Sequence, residues 1–142
     1  MGFRIIFDLD LFKGPQEAEL SHKVLQVMLD ALYTVDCLYL QEHPNTPRIY
    51  SPNLLTRKPV VRYEREDEGR ELWQDIPTTL ALREGDCEDL ACWRAAELTM
   101  LDKIPCTPTF TVKPRTNGGM LYHILVRHPD GTLEDPSRKL GM

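Results

Sequence analysis

The chain has 142 residues and a mass of 16.4 kDa, enough for one well-buried core and short of what two folded domains ordinarily use. With 42% hydrophobic and 27% charged residues its composition excludes disorder as the default state. Lys and Arg number 17 against 22 Asp and Glu, a net charge of -5, the wrong sign for a protein that gains affinity by neutralising phosphates, so nucleic acid is not an expected partner.

Met1 to Leu11 alternates weakly and predicts a short first strand. Gly14-Pro15 then opens a helix, with Glu17 and Glu19 near its positive end. From Glu17 to about Leu40 the residues Leu20, Val24, Val27, Ala31, Val35 and Leu38 recur every three or four positions, which predicts a helix that buries this stripe in the core. Cys37, beside the stripe, reads as a small core or boundary residue. Pro44, Pro47, Pro52 and Pro59 make His43–Pro59 a long irregular connection, and Tyr63 to Glu71 is a charge run suited to a solvated loop or short exposed helix.

No apolar run approaches the roughly 20 residues that span a bilayer, and Met1-Gly2-Phe3-Arg4 begins no signal-peptide core, so no membrane association is expected. Cys37, Cys87, Cys92 and Cys106 show neither CxxC nor Cys/His zinc spacing, and His22, His43 and His128 read as surface or capping residues without a partner at metal spacing. The expectation is free thiols in a reducing, cytoplasmic compartment, with no metal and no cofactor.

Residues 84–98 carry the chemistry. Gly85-Asp86 supplies a turn and an N-cap, with Asp89 three residues on, so Cys87 falls in the first turn of a helix whose unpaired N–H groups favour a thiolate. Asp86, Glu88 and Asp89 oppose that charge, so activation calls for a neighbouring imidazolium. Cys92 lies about 140° around the helix from Cys87 and reads as a buried small residue.

Thr107–Val112 and Met120–Arg127 are rich in β-branched and aromatic residues and flank Asn117-Gly118-Gly119, an antiparallel pair. His128-Pro129-Asp130-Gly131 then forms a second turn. A three-residue loop with Gly131 left-handed pairs Leu125 with Asp135 and His123 with Ser137, and makes His123 and Asp135 diagonal neighbours on one sheet face. Cys87, His123 and Asp135 thus stand in the order nucleophile, general base and orienting carboxylate, with a resting thiolate–imidazolium pair expected.

These residues resemble the transglutaminase-like branch of the papain-like cysteine enzymes. Gly85-Asp86-Cys87-Glu88-Asp89-Leu90-Ala91 is similar to the family's nucleophile motif, Ile104-Pro105 to its "GIPA" element, Tyr122-His123 to its histidine strand, and Glu134-Asp135-Pro136-Ser137 to its closing "DP[ST]". The likeness covers about the last 60 residues in the family's order. It departs at Leu125, where the family often has an aromatic residue, at Lys103, which replaces a Gly, and at Ala81, which holds the spacing of the papain-like oxyanion glutamine.

The resemblance implies an α+β fold with the cysteine helix packed on an antiparallel sheet, a single domain over residues 1–142 in which 81–142 form the catalytic core and 1–80 the helix and Pro-rich loop. It implies Cys87, His123 and Asp135 as a triad performing acyl transfer on a glutamine carboxamide or peptide bond of a protein or peptide substrate, through a thioester. Tyr63, Trp73 and Gln74 are candidates for substrate binding or oxyanion donation. A noncatalytic binding or assembly module of the same fold is the alternative, and the compact chain is similar to phage-encoded members. With no room for a separate recognition domain, substrate choice is expected to fall to the Pro-rich loop, the acidic surface or a partner chain.

Overall fold

The computed structural model describes residues 17–67, 72–116 and 118–142. The expected first strand, the helix start at Pro15, the end of the charge run and Asn117 lie outside the described residues. Among those described, the chain is an α+β fold ordered α1 (Glu17–Glu42), β1 (Arg62–Tyr63), α2 (Ile76–Leu82), β2 (Glu84–Gly85), α3 (Cys87–Met100), β3 (Thr107–Pro114), β4 (Met120–Arg127), β5 (Leu133–Glu134) and α4 (Pro136–Lys139).

The periodicity of α1 is helical as expected, yet the face it buries is the other one. Leu20, Val27, Val35 and Leu38 are 51%, 67%, 41% and 59% exposed, and Ala31 is exposed too, whereas Leu29 and Leu40 are fully covered and Leu25, Leu32 and Tyr33 pack beside them. Both faces carry apolar residues at helical spacing, and what decides between them is α3, against which α1 lies. The buried face also holds a carboxylate: Asp36 Oδ1 accepts the Ile76 N–H at 3.0 Å, tying α1 to the start of α2.

The central element is α3, which is buried on two faces. Ala91, Cys92, Ala95 and Leu98 meet Leu29, Cys106, Ile124 and Val126 in one core cluster, while Leu90, Trp93 and Ala96 meet Leu40, Ile49, Val61, Ile76 and Leu140 in a second. Cys92 is the small core residue its spacing suggests, its thiol 3.6 Å from the Leu29 carbonyl. The Pro-rich connection is irregular, with an isolated Pro52–Pro59 bridge, and its Ile49 enters the second cluster with its N–H donated to Glu97 Oε1 at 3.2 Å.

Two short elements escape the hydrophobic pattern. Helix α2 begins where Asp75 accepts the Thr78 N–H at 3.1 Å and Pro77 fixes the first turn, and it ends at Arg83 with φ 61°. Strands β1 and β2 pair in parallel, Tyr63 beside Gly85. Gly85 is required by crowding: a Cβ there would sit 3.0 Å from Asp89 Cβ and 3.1 Å from Thr79 Cγ2.

After α3, Lys103 adopts φ 58°, the left-handed region that favours glycine, at the position where the chain departs from the "GIPA" pattern. The following sheet has the order β3-β4-β5, antiparallel throughout, with Thr111 opposite His123. The second turn has the expected form: His128 N–H bonds to Thr132 O, Gly131 has φ 85°, and Val126 pairs with Glu134 and Arg127 with Leu133. This is the register that would set Leu125 opposite Asp135 and His123 opposite Ser137, but β5 ends at Glu134 and those two pairs do not form. Asp135 instead caps α4, with Pro136 as the first helical residue.

Candidate active site

Cys87 is the first helical residue of α3, set there by Asp86 and Asp89, which cap reciprocally with Asp89 Oδ2 accepting the Asp86 N–H at 3.2 Å. His123 is carried by β4 and Asp135 by the turn into α4. His123 Nε2 lies 2.8 Å from Asp135 Oδ2, so the imidazole's other nitrogen, Nδ1, is the one free for chemistry. Cys87 and His123 line one cavity of about 1040 Å³, together with Tyr63, Trp73, Asp86, Glu88 and Ile124.

The thiol and imidazole are not hydrogen-bonded among the described residues. The Cys87 Sγ–H donates to Glu88 Oε2 at 3.3 Å, and burial, then the Glu88 and Asp86 charges, push the thiol up, opposed by the Ile124 backbone N–H. The expected thiolate–imidazolium pair is not formed in this arrangement: the thiol is turned to Glu88, and burial favours its neutral form. The carboxylates are themselves proton-rich: burial and mutual repulsion raise Asp86, burial raises Glu88, and burial with the Asp86 charge pushes Asp89 up to about 8. The helix N-terminus favours a thiolate, but burial, with Glu88 and Asp86 beside the sulfur, outweighs that preference.

The three candidate binding residues separate. Tyr63 and Trp73 line the cavity, and burial raises the Tyr63 phenol, keeping it a hydrogen-bond donor there. Gln74 does not line it. Its backbone N–H and its side-chain amide donate to the two oxygens of Asp89 at 2.7 and 2.9 Å, and it borders a smaller adjoining cavity of about 550 Å³. Gln74 thus holds Trp73 at the cavity through Asp89. The Pro-rich connection does not wall the cleft: its residues serve the second core cluster, and the described Arg65–Asp67 segment lies at the cavity instead.

A second cysteine–histidine–carboxylate chain lies farther along α3, where Arg94 reaches it. Cys106 Sγ is 3.7 Å from His128 Nδ1, and His128 Nε2 is 2.8 Å from Glu134 Oε2. His128 is therefore a structural bridge, not the surface or capping residue its sequence setting suggests. Glu134 also accepts from Tyr50 Oη at 2.6 Å, Arg94 Nε at 2.9 Å and Lys139 Nζ at 3.2 Å; burial pushes it up, and Tyr50, His128 and Arg94 together hold it at about 2. Cys106 is fully covered, so this chain of bonds has no route to a substrate and serves to fix β5 against α3. The signal for it in the sequence is the Glu134-Asp135 pair, whose neighbouring carboxylates point to opposite sides of the backbone.

Four free thiols are present, Cys37 and Cys87 partly covered and Cys92 and Cys106 buried. Among the described residues no cluster of His, Cys, Asp and Glu has metal-binding geometry, and no helix is long and apolar enough to cross a membrane. No protein-family model, curated protein or solved structure matches this chain.

Proposed function

We propose that the chain is a papain-like, transglutaminase-like cysteine acyltransferase or amidase acting on a glutamine carboxamide or peptide bond, with Cys87 as nucleophile, His123 as general base and acid, and Asp135 as the carboxylate that orients the imidazole. The observation that carries this reading is the His123 Nε2 to Asp135 Oδ2 bond at 2.8 Å in a cavity that Cys87 also lines. It gives the base a fixed tautomer, with Nδ1 turned to a proton acceptor's role.

In the proposed reaction, substrate entry displaces the Cys87 thiol from Glu88 and His123 takes its proton. The sulfur attacks the carboxamide carbon, and a C–S bond forms as the carbonyl π pair moves to oxygen. The Cys87 backbone N–H and the hydroxyl of Tyr63, which lines the same cavity, are the proposed donors to that oxyanion. The C–N bond then breaks, His123 protonates the departing ammonia or amine, and a thioester remains. An amine or water, deprotonated by His123, attacks the thioester, and the C–S bond breaks to return the thiol.

Intact-mass spectrometry after incubation with a glutamine peptide tests the proposal. The expected product is an adduct of the peptide mass less one ammonia on the wild-type chain, absent in Cys87→Ala and strongly reduced in His123→Ala. An adduct that persists in Cys87→Ala, or none under conditions where the peptide binds, refutes it. One observation favours a second reading, a noncatalytic binding module: the resting thiol donates to Glu88 and is held protonated. That reading predicts peptide binding with no adduct at any pH up to 10.

A further inference from the structure

The Cys87 cavity is lined by four carboxylates, Glu66, Asp67, Asp86 and Glu88, and by four cations, Arg65, Lys113, Arg115 and Arg138. Two of the cations are arranged in a line. Thr111, directly opposite His123 in the sheet, Lys113 two residues on, and Arg115, whose N–H continues the ladder to the Gly119 carbonyl at 2.7 Å, share one parity of β3 and its extension, and all three line the cavity. Lys113 and Arg115 are exposed, and no described carboxylate pairs with either, although the chain has more carboxylates than cations. By contrast Arg48, Arg62 and Arg94 are each matched to a carboxylate of the chain itself.

Alternate side chains of any extended peptide are about 6.8 Å apart, the same step that separates Thr111, Lys113 and Arg115 along their strand. A peptide that runs alongside β3 with its glutamine at Cys87, level with His123, sets the side chains two and four residues away beside Lys113 and Arg115. We infer that this cavity selects an extended, acidic peptide segment, with carboxylates at the second and fourth positions from the reacting residue seated against Lys113 and Arg115. The inference rests on the proposed acyl-transfer site and names its substrate class. Exposed ion pairs of this kind act mainly through selectivity and encounter rate, with a modest share in affinity.

The test uses the full chain with Cys87→Ala, so that bound peptide stays unreacted, and fluorescence anisotropy at low salt. The probes are fluorescein-labelled nonapeptides with a central Gln flanked by Ser: one with Glu at the second and fourth positions on each side, one with Lys there, and one with the Glu residues shifted by one position. The acidic peptide is expected to bind about ten-fold tighter than the Lys peptide and about three-fold tighter than the shifted one. Adding Lys113→Glu and Arg115→Glu should reverse the preference toward the Lys peptide, with the far-ultraviolet circular dichroism unchanged because both side chains are exposed.

Equal affinities, a preference that survives the charge reversal, or displacement of the acidic peptide by a single-stranded oligonucleotide of equal charge at lower concentration would overturn the inference. The mass adduct on the wild-type chain separates the two claims. Acidic preference without adduct removes acyl transfer and leaves the binding line; an adduct formed equally well from the Lys peptide removes the binding line and leaves acyl transfer.

Discussion

Asp135 divides its two oxygens between His123 and its own helix: Oδ2 lies 2.8 Å from His123 Nε2, and Oδ1 accepts the Arg138 N–H at 3.2 Å. One side chain thus bonds the imidazole and caps the helix, and its proposed role as orienting carboxylate can be separated from the cap by substitution. Asn caps a helix as well as Asp does but cannot stabilise an imidazolium. Asp135→Asn is expected to keep the wild-type melting temperature within error while lowering kcat/KM by about 100-fold or more. Asp135→Ala should lose the same activity and in addition about 1 kcal/mol of stability. Equal melting temperatures for both variants would show that the cap contributes nothing.

The Glu88 carboxylate holds the Cys87 proton. Glu88→Gln removes the second-largest cause of the raised thiol after burial, and each unit of lowered thiol pKa gives about a ten-fold larger thiolate fraction below that pKa. Alkylation of Cys87 by iodoacetamide, followed by peptide mapping at pH 8, is therefore expected to speed up by about three- to ten-fold in Glu88→Gln. Cys92 and Cys106, which are fully buried, should stay unlabelled in both proteins. An unchanged Cys87 rate would remove Glu88 from the account.

The buried carboxylates make stability depend on pH in a direction opposite to that of ordinary salt-bridged acids. Asp86, Glu88 and Asp89 are raised in the folded state, Asp89 to about 8, so the native chain binds more protons than the unfolded chain above the usual carboxylate range. Their contribution is complete below about pH 4 and is lost as pH rises through the folded values. Glu134, held at about 2, works the other way and loses its contribution as pH falls from about 4 toward 2. Urea titrations should show greater stability at pH 5.5 than at pH 9, with a smaller difference in Asp89→Asn. A rise in stability from pH 5.5 to 9 would contradict the assignment.

The two faces of α1 give a direct energetic comparison. Leu29 is fully covered and Leu38 is 59% exposed. Leu29→Ala should cost about 2–4 kcal/mol and Leu38→Ala less than about 0.5 kcal/mol by urea denaturation. The reverse order would restore the stripe through Leu20 and Leu38 as the core face.

Lys103 holds a left-handed backbone with φ 58°. Lys103→Gly is expected to raise stability by about 0.5–1 kcal/mol, since the relief of the Cβ clash exceeds the added freedom of the unfolded chain and the loss of the Lys103 Nζ bond to the Met100 carbonyl at 2.9 Å. A fall in the melting temperature would show that this bond governs the position.

Residue patterns reveal much of this chain because several elements are locally determined. The helix of α3 follows from the Gly85-Asp86 start, the β3–β4 pair from its β-branched and aromatic runs, and the register of the second turn from Pro129 and Gly131. The buried face of α1 is not legible, because Leu25, Leu29, Leu32 and Leu40 compete with an equally regular stripe and the intervening Asp36 reads as solvent-facing until Ile76 is brought to it. Helix α2 is short enough that only its Asp75 cap and Pro77 announce it. The protonation of Cys87 is only half legible for a different reason: the opposing carboxylates are plain in the sequence, but their weight is not. A carboxylate at position 88 attracts or repels a proton according to its burial, and burial is a property of the fold.

The turn that joins β4 to β5 has one more consequence, for how the site is assembled. His123 and Asp135 are only 12 positions apart and are joined by a tight reversal, so closing the loop between them costs little chain entropy, and such a hairpin forms on a scale of about 1–10 μs. Cys87 must be brought from a separate helix across a longer stretch of chain. His123 and Asp135 therefore belong to one local unit of the chain, whereas Cys87 is brought to them only through the packing of α3 on the sheet, so the proposed triad depends on that packing.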